Sequence, residues 1–156
     1  RKPLFIDTKF EMKKTHFKQL IKMYQKAPFN IFFNPRTEIS LGKSIIEIKI
    51  SKKFHHSANS LHGSVYFKML DDAAFLAANS YVEDIFLVTT SFTTYLTRPV
   101  SNGKIKSYGK VVNMNNTQFI TESVLFNEQK KEIGRSSGIF VKSKFPLSKA
   151  MGYLNQ

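Results

Sequence analysis

His62-Gly63, followed after a short interval by the adjacent carboxylates Asp71-Asp72, is the grouping in this sequence best suited to chemistry. All four lie in one stretch, His62 to Ser80, which has no Pro, one Gly at its start, and apolar residues nearly all round. Such a stretch reads as a helix that belongs inside a core. The first N–H groups of a helix lack internal partners, and its dipole adds about half a positive charge there. Gly at that place lets a ligand approach the backbone closely. An N–H aimed at a carbonyl oxygen is what acyl transfer needs to stabilise a developing oxyanion.

Helical neighbours separate the two carboxylates. Asp72 follows Lys68 by four residues and can form a side-chain pair with it. Asp71 has Phe67 four before it and Phe75 four after it. That apolar surround desolvates a carboxylate and raises its pKa, which suits a general base or a nucleophile. The alternative is that both carboxylates merely pair with lysines. Asp71 lies eight residues past Gly63, about 12 Å along a helix axis, so one small carbonyl cannot touch both groups of one chain. If both act together they come from different subunits, with two such helices antiparallel across a two-fold axis. The spacing therefore predicts a homodimer with active sites at its interface.

The flanking sequence supplies elements to hold this helix. From about Thr15 to Gln25, Phe17, Leu20, Ile21 and Tyr24 recur at helical spacing, and Ala27-Pro28 ends the run. Phe29 to Leu41 reads as irregular. Ile46 to Ser51 alternates apolar and polar, as in a half-buried strand. Strands are then expected over Phe86–Thr97, Lys104–Val112, Phe119–Phe126 and Gly134–Ser143, separated by short turns as in an antiparallel meander. A sheet covering one apolar helix must curl round it, which gives an α+β domain.

Composition bounds the function. The 156 residues carry 24 Lys+Arg against 11 Asp+Glu, a net charge of +13. Yet only Arg1, Arg36, Arg98 and Arg135 are arginines, and no basic run exceeds two, which argues against nucleic-acid readout. The absence of Cys excludes disulfides, zinc–thiolate sites, iron–sulfur clusters and a Cys nucleophile. The longest apolar run, Ala73 to Ala78, is far short of the roughly 20 residues of a membrane span. The opening, Arg1 to Asp7, has a basic start without the apolar stretch of a signal peptide. With no repeat and no linker, one cytoplasmic domain over 1–156 is expected, without membrane attachment.

His62-Gly63, Asp71 nine residues after the His, and the strand Val88 to Pro99 together resemble the hotdog-fold acyl-CoA thioesterases of the PaaI type, in the 4-hydroxybenzoyl-CoA thioesterase superfamily. The resemblance covers a core from about 46 to 143. It implies a curved antiparallel sheet wrapped round a long central helix, about 63–80, with the helix at about 15–25 added before it. It implies thioester hydrolysis without metal or redox cofactor, coenzyme A being part of the substrate. The protein would be a homodimer, in some relatives paired into a tetramer. Carried over by position, the Gly63 N–H of one chain polarises the carbonyl, Asp71 of the other activates water or attacks, and His62 orients the thioester. His56 stands where relatives often have Asn or Gln, while Asn59 and Ser64 replace family glycines; with Thr89, early in the following strand, they are expected to bind substrate or hold the water. Lys104, Lys110 and Lys142 are expected to meet the phosphates of coenzyme A.

Two other readings compete. One is a non-catalytic hotdog domain that binds acyl-CoA or an acyl-carrier protein. The other is a basic nucleic-acid-binding module, whose aromatic residues would have to face outward for stacking.

Overall fold

The switch from helical to two-residue periodicity carries through into the fold. The computed structural model describes residues 5–154, so the Arg1–Leu4 part of the basic start and the last two residues lie outside the described residues. In chain order the elements are helices α1 (Phe5–Lys26) and α2 (Pro28–Ile31), strands β1 (Arg36–Ser40) and β2 (Lys43–Lys49), helix α3 (Gly63–Asn79), and strands β3 (Ile85–Leu96), β4 (Lys104–Met114), β5 (Gln118–Phe126) and β6 (Glu132–Pro146). All neighbouring strands are antiparallel, in the order β1-β2-β4-β5-β6-β3. Each of the six touches α3, so the sheet wraps one helix, the α+β architecture expected.

Several details differ from the expectation. The segment Phe29–Leu41 is not irregular throughout: Pro28 opens α2, and Arg36–Ser40 forms β1. Asn34 at φ 48 separates the two, and Gly42 at φ 73 reverses the chain into β2. The meander is confined to β4, β5 and β6, because β3 pairs with β6 at the far edge of the sheet. Among the described residues no strand pairs with its other edge, and most of its side chains from Val88 onward are exposed. Finally, α3 is not enclosed all round. Ten of its residues are buried, but Phe67, Lys68, Asp71, Asp72 and Phe75 form a stripe that is only partly covered, with the edge strand β3 along one side of it.

Small residues let the sheet come close to α3. Ser44, Ser107, Gly109, Thr121, Ser123 and Ser136 are buried on strands β2, β4, β5 and β6. The Ser44 hydroxyl donates to the Ala73 carbonyl at 2.6 Å, and the Ser123 hydroxyl to the Leu70 carbonyl at 2.8 Å. A Cβ on Gly109 would stand 2.2 Å from the Ala73 oxygen, so only glycine fits. These bonds satisfy buried hydroxyls while fixing the height of the helix above the sheet.

Helix α1 begins at Phe5, ten residues before the start expected at about Thr15, and it meets α3 between Asp72 and Asn79. Its buried side is His16, Leu20, Met23 and Tyr24, rotated from the expected stripe so that Phe17 and Ile21 are only half-buried. The rotation follows from His16, whose Nε2 donates to the Asn79 carbonyl at 2.9 Å, while Nδ1 lies 2.8 Å from the Tyr153 hydroxyl. Burial holds this imidazole below its ordinary pKa, in the neutral form that such a pair of bonds requires.

Gly109→Ala tests the close approach. Overpacking against a backbone that cannot yield is expected to cost about 3 kcal/mol or more, read as a fall of roughly 6 °C or more in Tm. An unchanged Tm would show that α3 is free to shift.

Candidate active site

The two adjacent carboxylates have separate fates, as their helical neighbours suggested. Asp72 Oδ2 accepts from Lys68 Nζ at 2.6 Å and from the Tyr24 hydroxyl at 2.6 Å. Lys68 also bonds Asn30 Oδ1, and its ammonium lies over the rings of Phe29, Phe33 and Tyr24 at 4.7, 5.3 and 5.6 Å. These contacts occupy Asp72 and Lys68 with each other and with the α1–α2 segment. Burial, with the Asp72 carboxylate next, pushes the Tyr24 phenol well above its ordinary pKa, so it stays protonated as a donor.

Asp71 receives one hydrogen bond, from the Thr89 hydroxyl to Oδ1 at 2.8 Å. Desolvation raises its pKa; the Thr89 bond opposes this, Asp72 adds to it, and Lys68 opposes it. Desolvation is the leading cause, so the carboxylate is a stronger base than an ordinary Asp. It opens into a cleft of about 330 Å³ between α1, α3 and β3. Thr89 is thus the one expected substrate- or water-binding residue that touches Asp71 within the chain.

Gly63 lies elsewhere, at the start of α3. It borders a second cleft, of about 290 Å³, shared with His56, Leu96 and Arg98. As the first helical residue it has an N–H without an intrahelical acceptor. A Cβ there would come within 3.1 Å of Leu96, so the missing side chain leaves the backbone approachable. His62 caps the helix: its Nδ1 accepts from the Ser64 N–H at 3.0 Å and lies 2.7 Å from the Ser64 hydroxyl. His62 and Ser64 are therefore partners, and neither touches Asp71.

The other expected residues are spread more widely. His56 Nδ1 accepts from the Ala58 N–H at 3.0 Å, and Asn59, at φ 61, closes the same turn through its N–H to the His56 carbonyl. His56 thus joins Gly63 at its cleft, whereas Asn59 serves the turn. Lys104 and Lys110 alternate on β4 with the buried Ile105, Ser107 and Gly109, and so point away from α3. They lie 3.9 Å from Glu47 and 3.8 Å from Glu122. The structure does not bring these two lysines to Asp71 or Gly63 of the same chain. Lys142 is exposed on β6 opposite Leu87 of β3. Sequence reasoning passed over Met23, Tyr24, Ala27 and Asn30, which line the Asp71 cleft from α1, the residue after it and α2. Tyr24 was visible as a core residue, but no spacing rule links it to a carboxylate 48 positions away. Among the described residues, no group of three His, Cys, Asp or Glu is placed to hold a metal, and no helix is long and apolar enough to cross a membrane.

Residues 58–133 match the model of the Thioesterase superfamily. The fold matches the PaaI protein of E. coli from the phenylacetic acid degradation operon, with a TM-score of 0.78, 15% identity, and coverage of 86% of this chain and 97% of that one. A mutant thioesterase from Staphylococcus aureus matches with a TM-score of 0.72 at 11% identity, over 75% and 99% of the two chains. A mutant of the phenylacetic acid degradation protein PaaI from Thermus thermophilus matches with a TM-score of 0.68 at 15% identity, over 75% and 100%. No curated protein matches the sequence. The fold is the hotdog, and the resemblance to the PaaI-type thioesterases is borne out.

The raised pKa of Asp71 has a stability consequence. A carboxylate whose folded pKa exceeds its unfolded value loses stability as pH climbs from the unfolded value through the folded one. Asp71→Asn is therefore expected to raise Tm at pH 8, with the difference from wild type shrinking toward pH 4, as read by thermal unfolding across that range. A variant no more stable than wild type at pH 8 would contradict the desolvated carboxylate.

Proposed function

We propose that this hotdog chain, with its thioesterase-superfamily segment, is an acyl-CoA thioesterase working as a homodimer with active sites at the interface. The observation that carries the reading is Asp71: a partly desolvated carboxylate, oriented by Thr89, opening into a cleft on the partly covered stripe of α3. In the base route Asp71 takes a proton from water, and the resulting hydroxide attacks the thioester carbon. The oxyanion so formed is stabilised by the Gly63 N–H of the partner subunit. Collapse breaks the C–S bond; the thiolate of coenzyme A leaves and takes up the proton that Asp71 held. In the nucleophilic route Asp71 attacks the carbon directly and the C–S bond breaks, releasing the thiolate of coenzyme A. Water then hydrolyses the mixed anhydride to the acid, the Asp71 carboxylate is regenerated, and the proton set free goes to the thiolate. Within a chain Gly63 sits in a different cleft from Asp71, which supports a site shared between chains.

The open edge of β3 supports the assembly. An unpaired strand edge is a template for another strand, and a two-fold pairing of β3 with its copy sets the two α3 helices antiparallel. Phe67, Tyr95 and Leu96, on α3 and β3, are 42, 61 and 50% exposed in the single chain, as apolar residues awaiting a partner are. Pairing of two dimers, and a cytoplasmic location, belong to the same reading. His62 and His56, at the Gly63 cleft, would orient the thioester. Lys142, on the strand that pairs with β3, would meet the phosphates of coenzyme A. Lys104 and Lys110 would serve only from another subunit.

Thiol release from a panel of acyl-CoAs tests the activity. Asp71→Asn is expected to lower kcat by about a hundredfold or more while remaining folded. Equal rates for the two would remove Asp71 from the chemistry, and acyl-CoA binding without turnover of any substrate would favour the non-catalytic reading. Since the route uses no metal, rates should survive a chelator.

Mixed dimers test the shared site. Gly63→Pro removes the N–H at a helical position that tolerates Pro, after a His62 already in extended geometry. Asp71→Asn and Gly63→Pro homodimers should both be nearly inactive. After random subunit exchange, half the dimers hold one intact site, and about a quarter of wild-type activity should return. Absence of recovery would place both groups in one chain's site.

A further inference from the structure

The cleft beside Asp71 has a wall that the matched family segment does not supply. Residues 58–133 contribute Asp71, Phe75, Phe86 and Val88, whereas Met23, Tyr24 and Ala27 come from α1 and the residue after it. We propose that these three residues close the acyl pocket and set the longest acyl chain the site accepts. The proposal rests on the thioesterase reading, since it takes the carbonyl to sit at Asp71 and the acyl group to extend into the adjoining cleft.

Three observations support a fixed wall. The volume of about 330 Å³ is near the lower end of ligand pockets, which run from roughly 300 to 1,000 Å³. Tyr24 cannot swing aside, because its hydroxyl is tied to Asp72, and Asp72 is tied to Lys68. Met23 is buried at 6% exposure, on a helix anchored one turn and more earlier by Leu20 and His16. Opposite them, Phe75 and Phe86 pack at 5.0 Å between ring centres. The acyl group therefore meets aromatic floor on one side and α1 on the other. Ala27 has the smallest side chain on that wall, and so it is the position where added bulk takes most room away.

The test uses the full-length protein and thiol release from acetyl-, hexanoyl-, decanoyl- and hexadecanoyl-CoA, with affinities for the same series measured by calorimetry on Asp71→Asn. In wild type, kcat/KM is expected to fall at least about tenfold between the best substrate and hexadecanoyl-CoA, since a hydrophobic pocket discriminates methylenes by roughly 10–200-fold. Ala27→Phe should move the fall to shorter chains, lowering the decanoyl-to-acetyl ratio of kcat/KM by about tenfold or more. Ala27 is only half-buried, so the fold tolerates the larger side chain. Met23→Ala should move the fall the other way, to longer chains.

Turnover with a length profile that neither variant shifts would overturn the wall and leave the thioesterase reading intact. Failure of wild type to turn over any of the four would overturn the thioesterase reading. The wall would then be judged on the affinities alone: a length dependence displaced by Ala27→Phe in the Asp71→Asn background supports it, and a flat or undisplaced series overturns it.

Discussion

The distance between α3 and the sheet is the constraint on which the rest of the structure depends. It is set where the Gly109 backbone meets the Ala73 carbonyl, with the Ser44 hydroxyl holding that same carbonyl and the Ser123 hydroxyl holding that of Leu70. Large side chains on those strands would lift the helix and break these bonds. With the helix seated this deep, one side of it is consumed by packing, and the remaining side becomes the stripe that bears Phe67, Asp71 and Phe75. The position of the carboxylate is thus a consequence of small residues on strands far from it in sequence.

Adjacent residues on a helix point about 100° apart, and that angle is enough to divide two identical side chains between two tasks. Asp72 turns toward α1, where an ammonium and a phenol compensate its charge. Asp71 turns toward β3, where a single hydroxyl meets it. The compensated carboxylate also works on its neighbour, since its charge helps to raise the pKa of Asp71. The network that fastens α1 to α3 is in this way part of the electrostatics of the site.

Much of this was legible in the sequence because it is local. The apolar helix at about 63–80, the Lys68–Asp72 pairing and the desolvating pair Phe67 and Phe75 all depend on neighbours within a few positions. The strands after the helix were found within a few residues for the same reason. What escaped depends on distant partners. β1 is five residues long, and its identity as a strand comes from pairing with β2 across Gly42. The placement of β3 beside β6 rather than β4 is a choice among sheet edges that no local pattern records. The lysines on β4 alternate in a way that was readable, but which face met α3 was settled only by Gly109. The wall of Met23, Tyr24 and Ala27 was hidden because nothing in the spacing of α1 says which part of α3 it will meet.

The bond between His16 and Tyr153 joins residues 137 positions apart. A ribosome delivers α1 early and Tyr153 only after the whole sheet has been made. Contacts of such long range form slowly, since the loop between them must close first. During synthesis the sheet and α3 can therefore assemble while α1 still lacks its last fastening. Emergence of Tyr153 then adds the last of several fastenings to the helix that walls the cleft beside Asp71, after those through Asp72 and Asn79 are already available.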